Sequence, residues 1–256
     1  MRISLTALAL ALAGLLFLTL RGGAEPLQEL PPAHGVSNSP VVAELFTSQS
    51  CSSCPPAERL FAQLAERDDL IVLEWHVDYW DRLVHGRAGA WKDPYSDPDN
   101  TARQRQYNRA LRQSGGGYTP QAVINGRHET IGNRSAEIHD LLGEKRHSTA
   151  SIEITRTSSD LQIEIGAFET EFGGSAEITH LTLLPEQSTS VPRGENRGVI
   201  LFSRNIVLKA ETIGTYSGRK TSVSVPRPDL DEGCAIIVQE RRRGRLGPIL
   251  AASYCT

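Results

Sequence analysis

Neither sign of charge dominates this chain. Its 256 residues hold 27 Lys and Arg against 30 Asp and Glu, a formal net charge of −3. No basic field advertises nucleic acid, and no acidic excess marks a disordered tail. Internal repeats and low-complexity tracts are missing too, which sets aside solenoids and repeat arrays. Cysteine is sparse, at four residues, and one pair alone stands at C-x-x-C spacing, so a closed four-thiolate zinc site has no second half. What the chain has is length: 256 residues suffice for two cores of ordinary size, and two domains are expected.

Met1 and Arg2 lead into an apolar run from Ile3 to Leu20, followed by Arg21, Gly22, Gly23, Ala24 and Glu25. Gly22 and Ala24 stand where a cleavage site needs small residues, so 1–24 is expected to be a secretory signal. The run is also long enough to span a bilayer, and an uncleaved anchor is the alternative, the one case in which a membrane enters. Either way the folded part is exported, periplasmic or secreted. Outside the cytosol thiols find oxidants and paired cysteines tend to become disulfides. The expected pairs are Cys51 with Cys54 and Cys234 with Cys255, other pairings being open on sequence.

A Pro-rich, low-pattern linker over 25–40 leads to VVAELFTSQSCSSCPP, Val41 to Pro56. Val41 to Phe46 suits a short strand covered on both faces, with Glu44 as its anomaly. Leu60, Phe61 and Leu64 stand at helical spacing within Ala57 to Arg67, and Leu70 to Val77 reads as the next strand. Strand, helix, strand in so short a span predicts a parallel βαβ unit whose strand ends share one rim. Cys51 and the segment His76 to Trp80 are placed on that rim. Cys51 then lies at a strand-to-helix junction, where the positive helix end favours a thiolate. Pro55 and Pro56 delay the helix start to near Pro55 and weaken that help. Asn100 or Thr101 is expected to cap a helix running through Gln113, ended by Gly115 to Gly117. Gln121 to Ile124, the Asn125-Gly126 turn and a partner strand to Ile131 give the strongest hairpin signal, and a helix from Ser135 to about His147 closes this half, 41–149.

Over 150–256 the period changes to two: SIEITR, LQIEIGAF, AEITHLTLL, GVILFSRNIVL, TSVSVP, CAIIVQE and PILAASY. Such segments predict an all-β antiparallel sandwich with one buried face per strand. No motif there carries chemistry. Arg241, Arg242, Arg243 and Arg245 form the one basic cluster and read as a solvated hairpin turn. If CAIIVQE and PILAASYC are the arms of that hairpin, pairing Gln239 with Leu250 sets Cys234 opposite Cys255, within disulfide reach.

The order strand, C-x-x-C, helix, strand, helix, Thr-Pro, hairpin, helix resembles the thioredoxin fold in its short, glutaredoxin-like form, with a helical insertion. In that family a cis-proline after Thr or Val faces the C-x-x-C, and Pro120 after Thr119 stands in its place. The resemblance implies substrate contact at Thr119 and Pro120, the backbone of Thr119 pairing with an extended partner peptide. More closely, ELFTSQSCSSCPPAE, HVDYWDRL, WKDPYSDP, TARQRQY and YTPQAVINGR resemble the exported bacterial family known as domain of unknown function 1223. Three departures stand out: Ser50 where that family often has Gly, an insertion from Val84 to Ala90, and the Cys234 and Cys255 pair. Thioredoxins also place a buried acid six residues before the first cysteine, where this chain has Leu45 and, beside it, Glu44.

The expected activity is thiol-disulfide exchange with protein thiols or disulfides, Cys51 attacking and Cys54 resolving, without cofactor or assigned metal. The plain structural alternative is an inert disulfide on a binding scaffold. A further alternative is a copper-handling module in which His76 adds a nitrogen to two thiolates, although a lone His at a strand end is more often a packing residue. Asp78, Tyr79 and Trp80 are secondary candidates for a substrate groove, and aromatic residues after a parallel strand more often cover the core.

Overall fold

The computed structural model describes residues 39–83, 89–144, 150–168 and 174–255. The expected signal segment and most of the linker, and much of the insertion before Trp91, lie outside the described residues. Two parallel strands form the centre, β1 (Val41–Thr47) and β2 (Leu70–His76), joined through helix α1 (Pro55–Leu64). Helix α2 (Pro98–Leu111) follows, then β3 (Gln121–Ile124), β4 (His128–Ile131) and α3 (Ser135–Gly143). Strand β3 runs antiparallel to β1 and β4 antiparallel to β3. Asn125 and Gly126 turn the β3–β4 hairpin with φ of 49° and 66°, the left-handed pair that a tight hairpin requires.

Alternation along β1 explains its composition. Val41, Ala43 and Leu45 pack with Ala57, Phe61 and Leu64 of α1 and Ile138 and Leu142 of α3, while Val42 and Phe46 face Trp75 and Tyr107. Both faces are covered, so a near-continuous apolar run is what the strand needs. Glu44 points to the Tyr107 side and is fully buried. It is stabilised there by Arg103, whose Nε and Nη2 donate to Glu44 at 2.6 and 3.0 Å, by the Tyr107 hydroxyl, and by the Trp75 ring 4.7 Å beneath the guanidinium.

The helix α2 cap is Asp97, ahead of both expected caps, Asn100 and Thr101. Its carboxylate accepts from the Asp99 N–H at 2.7 Å. Pro98 at the first helical position has the right φ and no N–H to satisfy, so the helix starts as soon as the chain reaches it. Asn100 instead donates to the carbonyl of His76 at 2.9 Å, and the Thr101 hydroxyl donates to Asp78 at 2.7 Å, fixing the helix to the end of β2.

Beyond residue 150 come β5 (Ile152–Arg156), β6 (Asp160–Ile165), β7 (Ser175–Ser190), β8 (Ile200–Tyr216), β9 (Thr221–Pro226), β10 (Gly233–Arg242) and β11 (Arg245–Tyr254). Four of them extend the first sheet, which has eight strands in the order β11-β10-β7-β8-β2-β1-β3-β4. The expected boundary at 149–150 thus falls between strands of one sheet: Glu74 of β2 pairs in parallel with Ile206 of β8. The other three form a sheet in the order β5-β6-β9, with Leu161, Ile163, Ile165 and Val225 packed on Ile178, Ile236, Val238 and Leu250. Strand β10 departs from the one-face expectation. Ala235 and Ile237 enter the core with Tyr107, and Ile236 and Val238 enter the core under the small sheet.

Cys234 and Cys255 form a disulfide, Cα to Cα 5.3 Å, at the far end of the β10–β11 hairpin. The expected register holds from Ala235 opposite Tyr254 to Val238 opposite Ala251, then shifts, so that Gln239 faces Ile249 and not Leu250. A bulge in β11 is the cause. The freed Ile249 N–H donates to the carbonyl of Asn125 at 2.9 Å, tying the hairpin to the β3–β4 turn.

Candidate functional site

The cysteine motif follows β1 through the turn Ser48 to Ser50. The Cys51 N–H donates to Ser48 O at 3.0 Å, the Cys54 N–H to Cys51 O at 3.2 Å, and the Ala57 and Glu58 N–H groups to Cys54 O at 2.8 and 3.1 Å. Cys54 is therefore the first residue of the helical ladder, with Pro55 directly inside it, where the missing N–H costs nothing. Cys51 and Cys54 are joined in a disulfide, Cα to Cα 5.5 Å. Both are fully buried, whereas Ser52 and Ser53 between them are exposed.

Opposite the motif, the Thr119-Pro120 peptide bond is cis. The Ser53 hydroxyl lies 3.3 Å from Cys51 Sγ and 3.5 Å from the Thr119 carbonyl oxygen, bridging the two sides. Trp80 holds Thr119 in place, its Nε1 donating to the Thr119 hydroxyl at 2.7 Å. Gly132 lets β4 pass close behind: a Cβ there would stand 2.7 Å from Leu45 Cδ1 and 3.0 Å from Pro120 Cβ. All four residues singled out in the sequence, Cys51, Cys54, Thr119 and Pro120, thus meet at one place. Of the secondary candidates, Trp80 belongs to this place and Asp78 is engaged with Thr101 and, at 3.3 Å, with Arg82.

Beneath the motif lies a buried acid cluster. Glu58, one helical turn after Cys54 and on the same face of α1, accepts from the Thr47 hydroxyl at 2.7 Å through Oε1. Its Oε2 has no hydrogen-bond partner among the described residues. Burial pushes the Glu58 carboxyl up to about 7, with the nearby Glu74 charge adding to the rise and the Thr47 bond opposing it. Burial raises Glu74 as well. His76 meets Asp93 through Nδ1 at 2.7 Å, and its Nε2 stands 3.8 Å from Glu74 Oε2. Burial alone would lower the imidazole, but the Asp93 carboxylate and Glu74 outweigh it and hold His76 at about 10. Asp93, also penalised by burial, is held below its ordinary value by that imidazolium. Asp93 also accepts from the Gln49 N–H at 2.8 Å, which links the cluster to the turn before Cys51.

The copper arrangement fails on geometry. Among the described residues the one grouping of three ligand-type side chains with atoms within 4.8 Å of one another is His180, Cys234 and Cys255, whose sulfurs are spent in a disulfide. His76 is buried against Asp93 and does not join Cys51 and Cys54.

The second half of the chain, in which no sequence motif carries chemistry, reaches the C-x-x-C as well. Strands β7 and β8 are 16 and 17 residues long, and the loop 191–199 between them lies on the C-x-x-C. Asn196 Nδ2 donates to the carbonyls of Gln49 and Cys51 at 2.9 and 3.0 Å, and the Ser52 N–H donates to Glu195 Oε2 at 3.0 Å. Loop residues 143 to 147 positions away give no sequence signal of such contacts. Glu58 had a faint one, an acid four residues after Cys54 and three before the core residue Phe61.

The family model described as protein of unknown function (DUF1223) matches residues 42–239. The chain belongs to this family. Among solved structures, this DUF1223 protein is similar to the crystal structure of protein AGR_C_4864 from Agrobacterium tumefaciens, at 30% identity and a TM-score of 0.72, over 86% of this chain and 95% of that one. It also resembles HBP35 of Porphyromonas gingivalis, with 15% identity and a TM-score of 0.57 over 86% of this chain and 76% of that one, a likeness of fold alone. No curated protein matches the chain. Among the described residues no helix is long and apolar enough to cross a membrane, and the two disulfides are compatible with a periplasmic or secreted protein.

Proposed function

We propose that this DUF1223 protein is an exported thiol-disulfide oxidoreductase built on a thioredoxin-like scaffold, exchanging disulfides with extended segments of other exported proteins. The observation that carries this reading is the Cys51–Cys54 disulfide at the start of α1, bridged by Ser53 to the carbonyl of Thr119. In the oxidised protein a partner thiolate attacks Cys51 Sγ. The bond to Cys54 breaks and Cys54 leaves as a thiolate that takes up a proton. A second partner thiolate then attacks the mixed disulfide, freeing Cys51 and leaving the partner oxidised by two electrons. Read backwards, the same steps reduce a partner disulfide, with Cys54 resolving the intermediate. Glu58 supports the exchange, because a buried carboxyl titrating near 7 can give or take the Cys54 proton close to neutral pH.

In this reading the Thr119 backbone, which meets the motif through Ser53 and whose hydroxyl is held by Trp80, pairs with an extended segment of the partner. The test mixes oxidised protein with a reduced dithiol peptide and follows the peptide mass. Loss of two hydrogens from the peptide, with gain of two thiols at Cys51 and Cys54, supports the reading. An unreacted peptide contradicts it.

A further inference from the structure

Of the groups around the motif, Glu195 is the one that oxidoreductase chemistry does not explain. It sits at the tip of the loop 191–199, and its carboxylate accepts from the N–H of Ser52, the residue after Cys51. That amide belongs to the turn Cys51 to Cys54 that leads into α1, directly after Cys51 in the chain; a free N–H so close to a thiolate favours it, and a carboxylate there does the opposite. The carboxylate is placed by its neighbours. Asn196, itself buried, donates to the carbonyls of both Gln49 and Cys51, and Gly194, with φ of 78°, lets the loop close down on Trp91, whose Cβ lies 3.1 Å from where a Gly194 Cβ would be. Trp91 is in turn bound to the motif, its carbonyl accepting from the Ser50 hydroxyl at 2.8 Å and its Nε1 donating to Gln49 Oε1 at 3.2 Å.

We infer that Glu195 is a positioning residue that holds the Cys51–Cys54 pair toward the disulfide by disfavouring the Cys51 thiolate. The inference rests on the oxidoreductase reading of that pair. When two thiols of glutathione reduce the disulfide, one molecule of glutathione disulfide forms and the protein gains two electrons and two protons, a proton being lost again wherever Cys51 ionises. A carboxylate fixed on the neighbouring amide takes up that donor and repels the negative charge of a Cys51 thiolate. The dithiol state loses that stabilisation and the disulfide, which carries no charge, does not. Other charged groups around the motif are Glu58 below Cys54, the His76 and Asp93 pair behind Gln49, and Arg193 and Arg197, exposed on the same loop. None of these bonds the Ser52 amide.

The experiment reads Cys51 in a Cys54→Ser background, with the Cys234–Cys255 disulfide intact, by thiolate absorbance against pH. Glu195→Gln should lower the Cys51 pKa by about half to one unit, a three- to tenfold rise in thiolate at a pH below it, the size expected when one nearby charge is removed from a partly solvated site. Glu195→Asp should stay near the wild-type value. In proteins with both cysteines, Glu195→Gln should move the glutathione equilibrium toward the dithiol by a similar factor at a pH above the Cys51 pKa. An unchanged Cys51 pKa in Glu195→Gln overturns the inference, as does a rise. Failure of glutathione to exchange with the pair in any of these proteins counts against the oxidoreductase reading instead, since the thiol pKa is read independently of it.

Discussion

Glu58 shows how a residue's chemistry follows from its burial. In α1 it follows Ala57 and faces inward with Phe61, so its carboxyl is taken out of water with one hydrogen bond, from Thr47. Its folded value near 7 lies above the ordinary 4.5, so the stability it contributes is fully present below pH 4.5 and lost as pH rises through 7. A shift of that size corresponds to about 3 kcal/mol. Glu58→Gln keeps the shape and hydrogen bond of the protonated acid. Its stability relative to wild type should therefore rise by about 3 kcal/mol between pH 4.5 and pH 8, in urea melts at both values. A difference independent of pH would show that Glu58 ionises freely. Glu74 shifts with the same sign and remains in both proteins, and its charge adds to the Glu58 rise, so the difference reports Glu58 together with its repulsion by Glu74. Legibility at this scale divides by range. Cys51, Cys54, Thr119 and Pro120 were readable because each sits in a short motif. Glu58 looks like any polar helix residue, and Glu195 and Asn196 act across some 145 residues of chain.

Among the elements, α2 is bound to the sheet by a charge. Arg103 carries the one bidentate contact to Glu44 and also donates to Gln239 of β10 at 3.0 Å, so a single guanidinium joins α2, β1 and β10. Arg103→Ala leaves Glu44 buried without its counter-charge, and unfolding should become easier by about 3 to 5 kcal/mol. Glu44→Gln in the Arg103→Ala background should recover part of that loss. A loss below about 1 kcal/mol in the single variant would mean that water or other groups replace the guanidinium. The elements themselves were largely visible: β1, α1, β2 and the β3–β4 hairpin stand where periodicity and the Asn-Gly turn place them. The start of α2 was misplaced because Asp97-Pro98 is a stronger start than Asn100. The bulge in β11 was invisible, because what draws it out is the distant carbonyl of Asn125.

Over the whole molecule, the alternating strands of the second half do two jobs that sequence could not separate. Strands β7, β8, β10 and β11 extend the sheet that begins with β1 and β2, and β5, β6 and β9 cover it. Alternation reports that a strand has a buried face and says nothing of which sheet it joins. The Cys234–Cys255 bond closes the outer hairpin, with a sequence separation of 21 residues. Its removal in Cys234→Ser/Cys255→Ser should cost roughly 3 kcal/mol of stability and leave exchange at Cys51 intact. Loss of exchange with stability retained would instead make the second pair part of an electron path between the halves.

The central claim is that Cys51 and Cys54 turn over. Its most direct test is the rate at which oxidised protein oxidises a reduced dithiol peptide, compared with glutathione disulfide at the same concentration and pH. The account predicts a faster reaction than with glutathione disulfide, because the partner is bound beside Thr119 before its thiolate attacks Cys51. Mass mapping should then find thiols at Cys51 and Cys54 and an intact bond between Cys234 and Cys255. A rate no greater than that of glutathione disulfide, or electrons found on Cys234 and Cys255, would contradict it.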